Sequence, residues 1–250
     1  MHPVFTQPAS LTSEPFHYCP GCGHSIAHRL IAEAIDHLGI REKTIGIAPV
    51  GCAVFAHRYL RIDMLEAAHG RPPAVATAMK RLMPDRIVFS YQGDGDLAAI
   101  GTGEIIHAAN RGEHFTVFFI NNATYGMTGG QMAPTTLESQ QTSTTPKGRR
   151  AQMHGATLRV AELLQSLESV DFLARGSLHS PSAVIQAGHY VRRALSLQMQ
   201  GASFTFVELL SPCPTAWNKT PIESVEWMES AMLPYFKPGV MRDRWNNASS

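Results

Sequence analysis

The chain has 250 residues, of which 44% are hydrophobic, and its formal net charge is +1. This length predicts one large domain, and the nearly balanced charge argues against a nucleic-acid-binding surface or a basic membrane patch. The chain has no apolar run of roughly 18 residues and its first residues lack the features of a secretory signal, so we expect a cytoplasmic protein with no membrane partner.

Apolar residues recur at helical spacing in some segments and form short β-branched or aromatic runs in others. The segment 24–38 has its apolar residues on one helical face and is followed by Gly39, a residue suited to ending a helix. The run 115–120 is apolar on both faces, as strands of covered parallel sheets are. In chain order the prediction is an extended arm at 1–18, helix 24–38, strand 44–48, helix 74–82, strand 86–91, a Gly/Asp turn at 93–96, helix 97–111, strand 115–120, a long loop at 121–150, helix 156–167, strand 170–174, helix 181–200, strand 204–210, a loop at 212–219 and a polar, loosely packed tail at 237–250.

The alternation of strands and helices predicts an α/β fold, a parallel sheet with helices on both faces, in a main domain spanning 19–236. Ligands of such sheets bind beyond the carboxyl ends of the strands. The segments 93–96 and 121–131 each follow a strand directly. We therefore expect them to meet at one edge of the sheet.

Two motifs end successive predicted strands, Gly-Asp-Gly-Asp at 93–96 and Asn-Asn at 121–122. Asp94 offers a carboxylate, Asn122 an amide oxygen and Thr124 a backbone carbonyl, and oxygen ligands of this kind suit Mg²⁺. The glycines of the first motif let the backbone approach a phosphate closely. The alternative interpretation is a tight turn whose Asp begins a helix.

Four cysteines lie in segments rich in glycine and proline: Cys19, Cys22, Cys52 and Cys213. Four thiolates suit either a tetrahedral zinc ion or a 4Fe–4S cluster, and their spacing does not choose between the two. The alternative is a redox pair at 19 and 22 with two buried core cysteines.

The motifs together resemble one family, the β subunit of the 2-oxoacid:ferredoxin oxidoreductases. The resemblance covers about residues 17–236 and places the motifs in the family's order. They are CPGCGH at 19–24, GC at 51–52, HGR at 69–71, GDGD at 93–96, NNATYGMTGGQ at 121–131 and SPCP at 211–214.

The resemblance implies the diphosphate-binding domain of thiamine-diphosphate enzymes, with thiamine diphosphate, Mg²⁺ and one 4Fe–4S cluster as cofactors. It assigns Mg²⁺ to Asp94, Asn122 and Thr124, and the cluster to the four cysteines. Four of the residues that the resemblance implies for cofactor binding have an alternative interpretation without a ligand. Arg71 could be a surface residue and His69 a structural histidine. Thr128 could be a turn residue, and Asp96 could be a solvated residue at the start of a helix. The implied cofactor-binding residues are Gly51, His69, Gly70, Arg71, Gly93, Asp94, Gly95, Asp96, Asn122, Thr124, Tyr125, Gly126, Met127 and Thr128.

The resemblance also implies a reaction and partners. The reaction is oxidative decarboxylation of a 2-oxoacid to acyl-CoA and CO₂, or its reverse, with single electrons passing through the cluster to ferredoxin. The thiamine-activating glutamate is expected on a partner α subunit that carries the pyrimidine-binding domain, and some complexes add γ and δ subunits. Glu33, Glu104, Glu113 and Glu138 are considered for that role, and the sequence around each of them gives no reason to assign it.

The chain departs from the family pattern after the third cysteine, where family members often have serine. Here the residues are Ala53, Val54 and Phe55, which favour a branched-chain or other apolar 2-oxoacid, with 2-oxoglutarate as the alternative substrate. Lys147 stands where the family often has an aromatic residue. Two other functions stay open: a non-redox thiamine-diphosphate decarboxylase or synthase subunit with a zinc or empty cysteine site, and a non-enzymatic module that binds a nucleotide-like ligand.

Overall fold

A computed structural model describes residues 6–246. Seven strands form one sheet: β1 (Thr44–Ala48), β2 (Asp63–Glu66), β3 (Ile87–Gly93), β4 (Thr116–Asn121), β5 (Val170–Ser177), β6 (Phe204–Leu210) and β7 (Gly239–Asp243). Their order is β2-β1-β3-β4-β6-β5-β7. All neighbouring strands run parallel except β7, which pairs antiparallel with β5. This arrangement confirms the predicted α/β class.

Helices cover both faces of the sheet. α1 and α7 pack on one face, while α3, α4 and α6 pack on the other. The helices are α1 (His24–Leu38), α2 (Ala56–Tyr59), α3 (Pro72–Leu82), α4 (Thr102–Asn110), α5 (Ala151–His154), α6 (Val160–Gln165), α7 (Pro181–Met199), α8 (Pro214–Trp217), α9 (Pro221–Trp227) and α10 (Leu233–Tyr235), with a 3₁₀ turn at Arg41–Lys43 and π-helical turns at Asp94–Ile100 and Met228–Met232.

The core is divided by the sheet into two apolar layers. Ile31 of α1 and Val191 of α7 are buried with Phe118 of β4 in one layer, and Ile105 of α4 is buried with Phe119 of β4 in the other. Strands β4 and β6 are therefore buried along their whole lengths, as the apolar run at 115–120 predicts.

The strand order changes direction next to β1. The chain places β2 on one side of β1 and then β3 on the other. Crevices at such a switch point, beyond the carboxyl ends of the strands, are where ligands of open α/β sheets bind. The GDGD motif begins at the carboxyl end of β3, beside this crevice.

Several predicted elements are confirmed with their bounds, including helix α1 and strands β1 and β6. Gly39 ends α1 in the left-handed conformation, with φ of 65°. Helix α3 begins two residues earlier than predicted, because its first two residues are prolines, which the first turn tolerates.

The predicted turn at 93–96 and the predicted continuous helix at 97–111 are wrong. The chain goes from β3 directly into the π-helical turn, in which Gly101 N–H donates to the Asp96 carbonyl, and α4 follows. Wide turns of this kind are common at functional sites.

The prediction of a loosely packed tail at 237–250 is wrong for residues Gly239–Asp243, which form strand β7. This strand joins the main sheet because Arg193 of α7 pairs with Asp243 at 3.1 Å, and Arg242 donates to carbonyls before and within the start of β5. Residues 247–250 lie outside the described part. The prediction also missed the exposed edge strand β2, which has no apolar alternation, and α8 inside the expected loop at 212–219.

In the predicted arm, residues 1–5 lie outside the described part. The remainder lies against the domain, where Leu11 forms an isolated bridge with Leu60 and Ser10 is buried against Asp36. Across residues 6–246, no helix combines the length and the apolar character needed to cross a membrane.

Candidate active site

A cavity of about 250 Å³ opens at the carboxyl ends of β1, β3 and β4. Because these strands are parallel and adjacent, the loops that follow them meet there, as the sequence predicts. The cavity is lined by residues 49–53, 69, 93–96, 99–100, 120, 122 and 124–128, together with His24 of α1.

Asp94 lies at the base of this cavity and is buried. Its carboxylate accepts hydrogen bonds from the backbone N–H groups of Asn122 (3.3 Å) and Thr124 (3.1 Å) and from the Thr135 hydroxyl (2.6 Å). Burial raises the pKa of Asp94 to about 7, and these hydrogen bonds oppose that rise. A divalent cation beside Asp94 would favour its charged form.

Asp96 is also buried and fastens three loops together. Its Oδ1 accepts from His69 Nδ1 at 2.7 Å and from the backbone N–H groups of Gly70 (3.0 Å) and Val50 (3.3 Å). Its Oδ2 accepts from Gln92 Nε2 at 2.7 Å. Asp96 is therefore a buried residue whose hydrogen bonds hold the loops of the cavity wall together. The alternative prediction, that Asp96 is exposed to solvent at the start of a helix, is wrong.

The long loop at 121–150 is ordered by one buried guanidinium. Arg149 Nη1 donates to the carbonyl oxygens of Thr136 (2.7 Å), Pro134 (2.8 Å) and Ala133 (3.1 Å), and Nη2 donates to that of Ala156 (2.7 Å). These contacts hold the segment that brings the neighbouring Thr135 to Asp94. The loop thus acts as a support for the cavity.

All four cysteines are free thiols in loops that converge beside the cavity. Burial is the main cause that raises the pKa of Cys52 to about 11, and the nearby Cys22, Cys19 and Asp94 contribute to the rise. Burial likewise raises the pKa of Cys213, with Cys22 and Cys52 adding to it. Each thiol thus lies near others of the four in space, although Cys213 is remote in sequence.

Backbone groups oppose the effect of burial at three of the thiols, those of Cys22, Cys52 and Cys213. A hydrogen bond from the backbone of His24, the first residue of α1, lowers the pKa of Cys22, although burial leaves the net shift upward. The backbone of Ala216 in α8 acts in the same way on Cys213. Amide groups directed at sulfur favour the thiolate, the form that binds metal.

Two glycines permit the close approach of the cysteine loops. Gly21 has φ of 80°, and a Cβ there would lie 2.8 Å from Pro221 Cβ, so the first cysteine loop packs against the segment after Cys213. A Cβ at Gly126 would lie 3.3 Å from Cys52 Sγ, 3.4 Å from Cys213 Sγ and 3.5 Å from Asn122 Nδ2. Gly126 therefore lies close to both of these thiols and to the Asn122 side chain.

The donor sets can be compared with the groups that the sequence predicts. In residues 6–246 no three His, Cys, Asp or Glu side chains are placed to hold one metal ion. Four converging thiols with amide donors fit a larger iron–sulfur cluster. One carboxylate, one amide oxygen and one carbonyl fit Mg²⁺, which also takes phosphate oxygens and water.

Two of the implied cofactor-binding residues lie outside the cavity lining. The Gly70 N–H is directed at Asp96, and Arg71 is an exposed side chain that pairs with Glu104. The Thr128 hydroxyl bonds to Gln131 within its own loop at 2.5 Å, although Thr128 lines the cavity. The other implied residues line the cavity.

Sequence reasoning missed several lining residues. Two signals point to most of them: adjacency to the Gly51-Cys52 motif, and positions one helical turn after GDGD. The missed residues are His24, Pro49, Val50, Ala99, Ile100 and Ile120.

No glutamate is among the described lining residues. The glutamates considered above are occupied elsewhere: Glu33 by Arg29, Glu104 by Arg71, Glu113 by Arg81 and Arg111, and Glu138 by the Ala151 N–H.

Comparison with known proteins agrees with this geometry. Residues 49–203 match the family described as "Thiamine pyrophosphate enzyme, C-terminal TPP binding domain". The 2-oxoglutarate synthase subunit KorB of Methanocaldococcus jannaschii is 35% identical over 206 residues, which cover 82% of this chain and 72% of that protein. The ketoisovalerate oxidoreductase subunit VorA of Methanothermobacter thermautotrophicus is 47% identical over 98% of this chain, and the chain spans about half (51%) of its length.

A solved structure has the same fold. It is a 2-oxoglutarate:ferredoxin oxidoreductase from Magnetococcus marinus with 2-oxoglutarate, coenzyme A and succinyl-CoA bound, with a TM-score of 0.79 and 24% identity over 96% of this chain and 85% of that one. The fold and the cavity thus define a thiamine pyrophosphate-binding enzyme domain. The chain belongs to the family of 2-oxoacid:ferredoxin oxidoreductase β subunits.

Proposed function

We propose that the chain is the subunit that binds thiamine diphosphate, Mg²⁺ and one 4Fe–4S cluster in a CoA-dependent 2-oxoacid:ferredoxin oxidoreductase. The complex would convert a 2-oxoacid to acyl-CoA and CO₂, or catalyse the reverse. The observation that carries this proposal is that one cavity is lined by both Asp94 and Cys52, with Gly126 close to the thiols of Cys52 and Cys213 and to the Asn122 side chain.

The residues that would hold each group follow from their donors. Asp94, Asn122 and the Thr124 carbonyl would hold Mg²⁺ against the diphosphate. Cys19, Cys22, Cys52 and Cys213 would hold the cluster. When bound, thiamine diphosphate supplies the cleavage of the bond between the 2-oxo carbon and the carboxylate, and the cluster supplies one-electron transfer.

Other residues of the chain position the Asp94 carboxylate and favour the charged forms of the ligands. Thr135 and the backbone amides of Asn122 and Thr124 fix the Asp94 carboxylate before any cation arrives. The buried setting of Asp94 strengthens its attraction for a cation, because little water screens it. Backbone groups at His24 and Ala216 favour the thiolates of Cys22 and Cys213.

The complex needs a partner under this proposal. Since no described lining residue is a glutamate, the thiamine-activating glutamate would come from an α subunit with the pyrimidine-binding domain. Ferredoxin would accept the electrons, and coenzyme A would accept the acyl group. A complex of four different subunits would also contain γ and δ subunits. The number of subunits can be measured by native mass spectrometry of the purified complex.

For the substrate we propose a branched-chain or other apolar 2-oxoacid. The cavity wall includes Val50, Ala53, Ile100 and Ile120, and the described lining contains no arginine or lysine. The second carboxylate of 2-oxoglutarate would find no arginine or lysine among the described lining residues there. The relative named for ketoisovalerate is also more similar to the chain than the relative named for 2-oxoglutarate.

The substrate is tested by steady-state reduction of ferredoxin by the complex. We expect a larger kcat/KM for 3-methyl-2-oxobutanoate than for 2-oxoglutarate. A preference for 2-oxoglutarate would reject the apolar assignment and leave the rest of the proposal standing.

The cofactors are tested by purifying the chain anaerobically with its partner subunit. We expect a broad visible absorption band that bleaches with dithionite, and about four irons per chain. A colourless protein that holds zinc or no metal would instead support a non-redox thiamine-diphosphate decarboxylase or synthase subunit. Failure to bind thiamine diphosphate with Mg²⁺ would leave the non-enzymatic binding module.

A further inference from the structure

A buried ion pair joins two central strands away from the cavity wall. Arg175 of β5 and Glu208 of β6 lie opposite each other, with exposed fractions of 1% and 0%. Arg175 Nε contacts Glu208 Oε2 at 2.7 Å, and Arg175 Nη2 contacts Glu162 Oε2 at 2.6 Å. Buried ion pairs often contribute less stability than apolar residues of the same volume, so stability alone is a weak explanation for this one.

The second oxygen of Glu208 leads toward the cavity. Glu208 Oε1 accepts a 2.6 Å hydrogen bond from Asn121 Nδ2. The other end of the same amide, Asn121 Oδ1, accepts from the Ala123 N–H at 3.1 Å. Ala123 has φ of 55°, a left-handed conformation that is uncommon for a residue with a side chain and needs external support.

This strained turn sets the direction of the loop that faces Asp94. The residues on either side of Ala123 are Asn122 and Thr124, whose N–H groups both donate to Asp94. The Ala123 carbonyl accepts from Thr136 Oγ1 at 2.7 Å, which anchors the turn on its other side. Direct contacts therefore run from Arg175 through Glu208 and Asn121 to the loop that carries the candidate magnesium ligands.

Arg175 balances the charge of Glu208 inside the protein. Losing Arg175 would leave Glu208 as an unpaired buried anion, which is strongly unfavourable.

We propose that Glu208 and Arg175 are positioning residues for the magnesium and diphosphate site, acting through Asn121 on the turn at Ala123. The inference rests on the proposed function of that site. It predicts that breaking the contacts weakens binding of Mg²⁺ and thiamine diphosphate, with no change in any residue that would touch them.

The test uses the full chain with its partner subunit and isothermal titration calorimetry. Thiamine diphosphate is titrated at saturating Mg²⁺, and Mg²⁺ at saturating thiamine diphosphate. Arg175→Met and Asn121→Ala are each expected to raise Kd by roughly 10- to 100-fold, the usual effect of losing support behind a metal ligand. The double variant Arg175→Met with Glu208→Gln removes both charges and is expected to recover part of the affinity lost in Arg175→Met.

The matched control is Arg193→Met, which breaks the ion pair to Asp243 between α7 and β7. It is expected to lower the unfolding temperature and to leave both Kd values unchanged. If Arg175→Met proves unable to fold, Asn121→Ala decides the matter, because it leaves the ion pair intact. Wild-type affinity in Asn121→Ala would overturn the inference alone, whereas a wild-type complex that binds no thiamine diphosphate would overturn the proposed function and the inference with it.

Discussion

The indole Nε1 of Trp217 donates a 3.0 Å hydrogen bond to the backbone carbonyl of Asn122. Trp217 ends α8, the short helix that directly follows Cys213, while Asn122 belongs to the loop that faces Asp94. The ring of Trp217 packs on that of Trp227, with 4.4 Å between ring centroids, which fixes its orientation. One side chain therefore joins the fourth cysteine segment to the candidate magnesium loop.

Trp217 is expected to report ligand binding by fluorescence. Addition of Mg²⁺ and thiamine diphosphate to the complex should change the tryptophan emission, because the indole N–H is bonded to a residue that would hold the cation. The change should disappear in Trp217→Phe and persist in Trp245→Phe, since Trp245 bonds to Asp171 instead. A full emission change in Trp217→Phe would contradict the coupling.

Replacing Gly126 by alanine, which adds one carbon, is expected to impair the binding of both cofactors. The Cβ of Gly126→Ala would lie 3.3 Å from Cys52 Sγ, 3.4 Å from Cys213 Sγ and 3.5 Å from Asn122 Nδ2. We expect lower iron content and weaker thiamine-diphosphate binding in the same variant. Gly103→Ala in α4 is the control, because its Cβ would meet nothing within 4 Å. Normal iron content in Gly126→Ala would show that the loop moves without consequence.

Asp96 is expected to matter for both the fold and the cavity. In Asp96→Asn a neutral amide replaces a carboxylate that accepts four hydrogen bonds, and its NH₂ group faces donors. We expect the free energy of unfolding to fall by roughly 2 kcal/mol, measured by urea denaturation, with weaker thiamine-diphosphate binding. The exposed Asp85→Asn should change neither quantity, and equal behaviour of the two variants would refute the role of Asp96.

His28 is expected to make stability depend on pH. Burial, with His24 and His17 nearby, lowers the pKa of His28 well below 6.5, and its Nδ1 has no hydrogen-bond partner among the described residues. The unfolded chain takes up a proton below about pH 6.5 while the folded chain does not, so the free energy of unfolding falls as pH falls, by at most about 1.4 kcal/mol per pH unit for this group.

The measurement compares urea denaturation of the wild type and His28→Gln at about pH 7.5 and about pH 5.5. The pH dependence should be smaller in the variant, whose side-chain amide can still form a hydrogen bond with the Tyr18 hydroxyl. The exposed His37→Gln should keep the wild-type dependence. An unchanged dependence in His28→Gln would assign the acid sensitivity to other groups.

Part of the site could be read from the sequence because its signals are local. Asp94 and Asn122 each follow a strand that apolar composition identifies, and parallel neighbouring strands must end at the same edge. The cavity that contains both residues is consistent with that reasoning. Arg71 shows its limit: a residue adjacent to His69 in sequence points away from the cavity because Glu104 of α4 pairs with it.

By itself, the sequence determined the α/β class, five of the seven strands in the described residues, the helices α1, α3, α6 and α7, and the segments that meet at the cavity, because hydrophobic periodicity and strand-end motifs act over a few residues. Only the tertiary structure decided that Asp96 is buried, that β7 joins the sheet, and that Glu208 contacts Asn121 from 87 residues away. Such contacts depend on which strands become neighbours and on how buried polar groups find partners. Those partners are distant in the chain, so no local pattern specifies them.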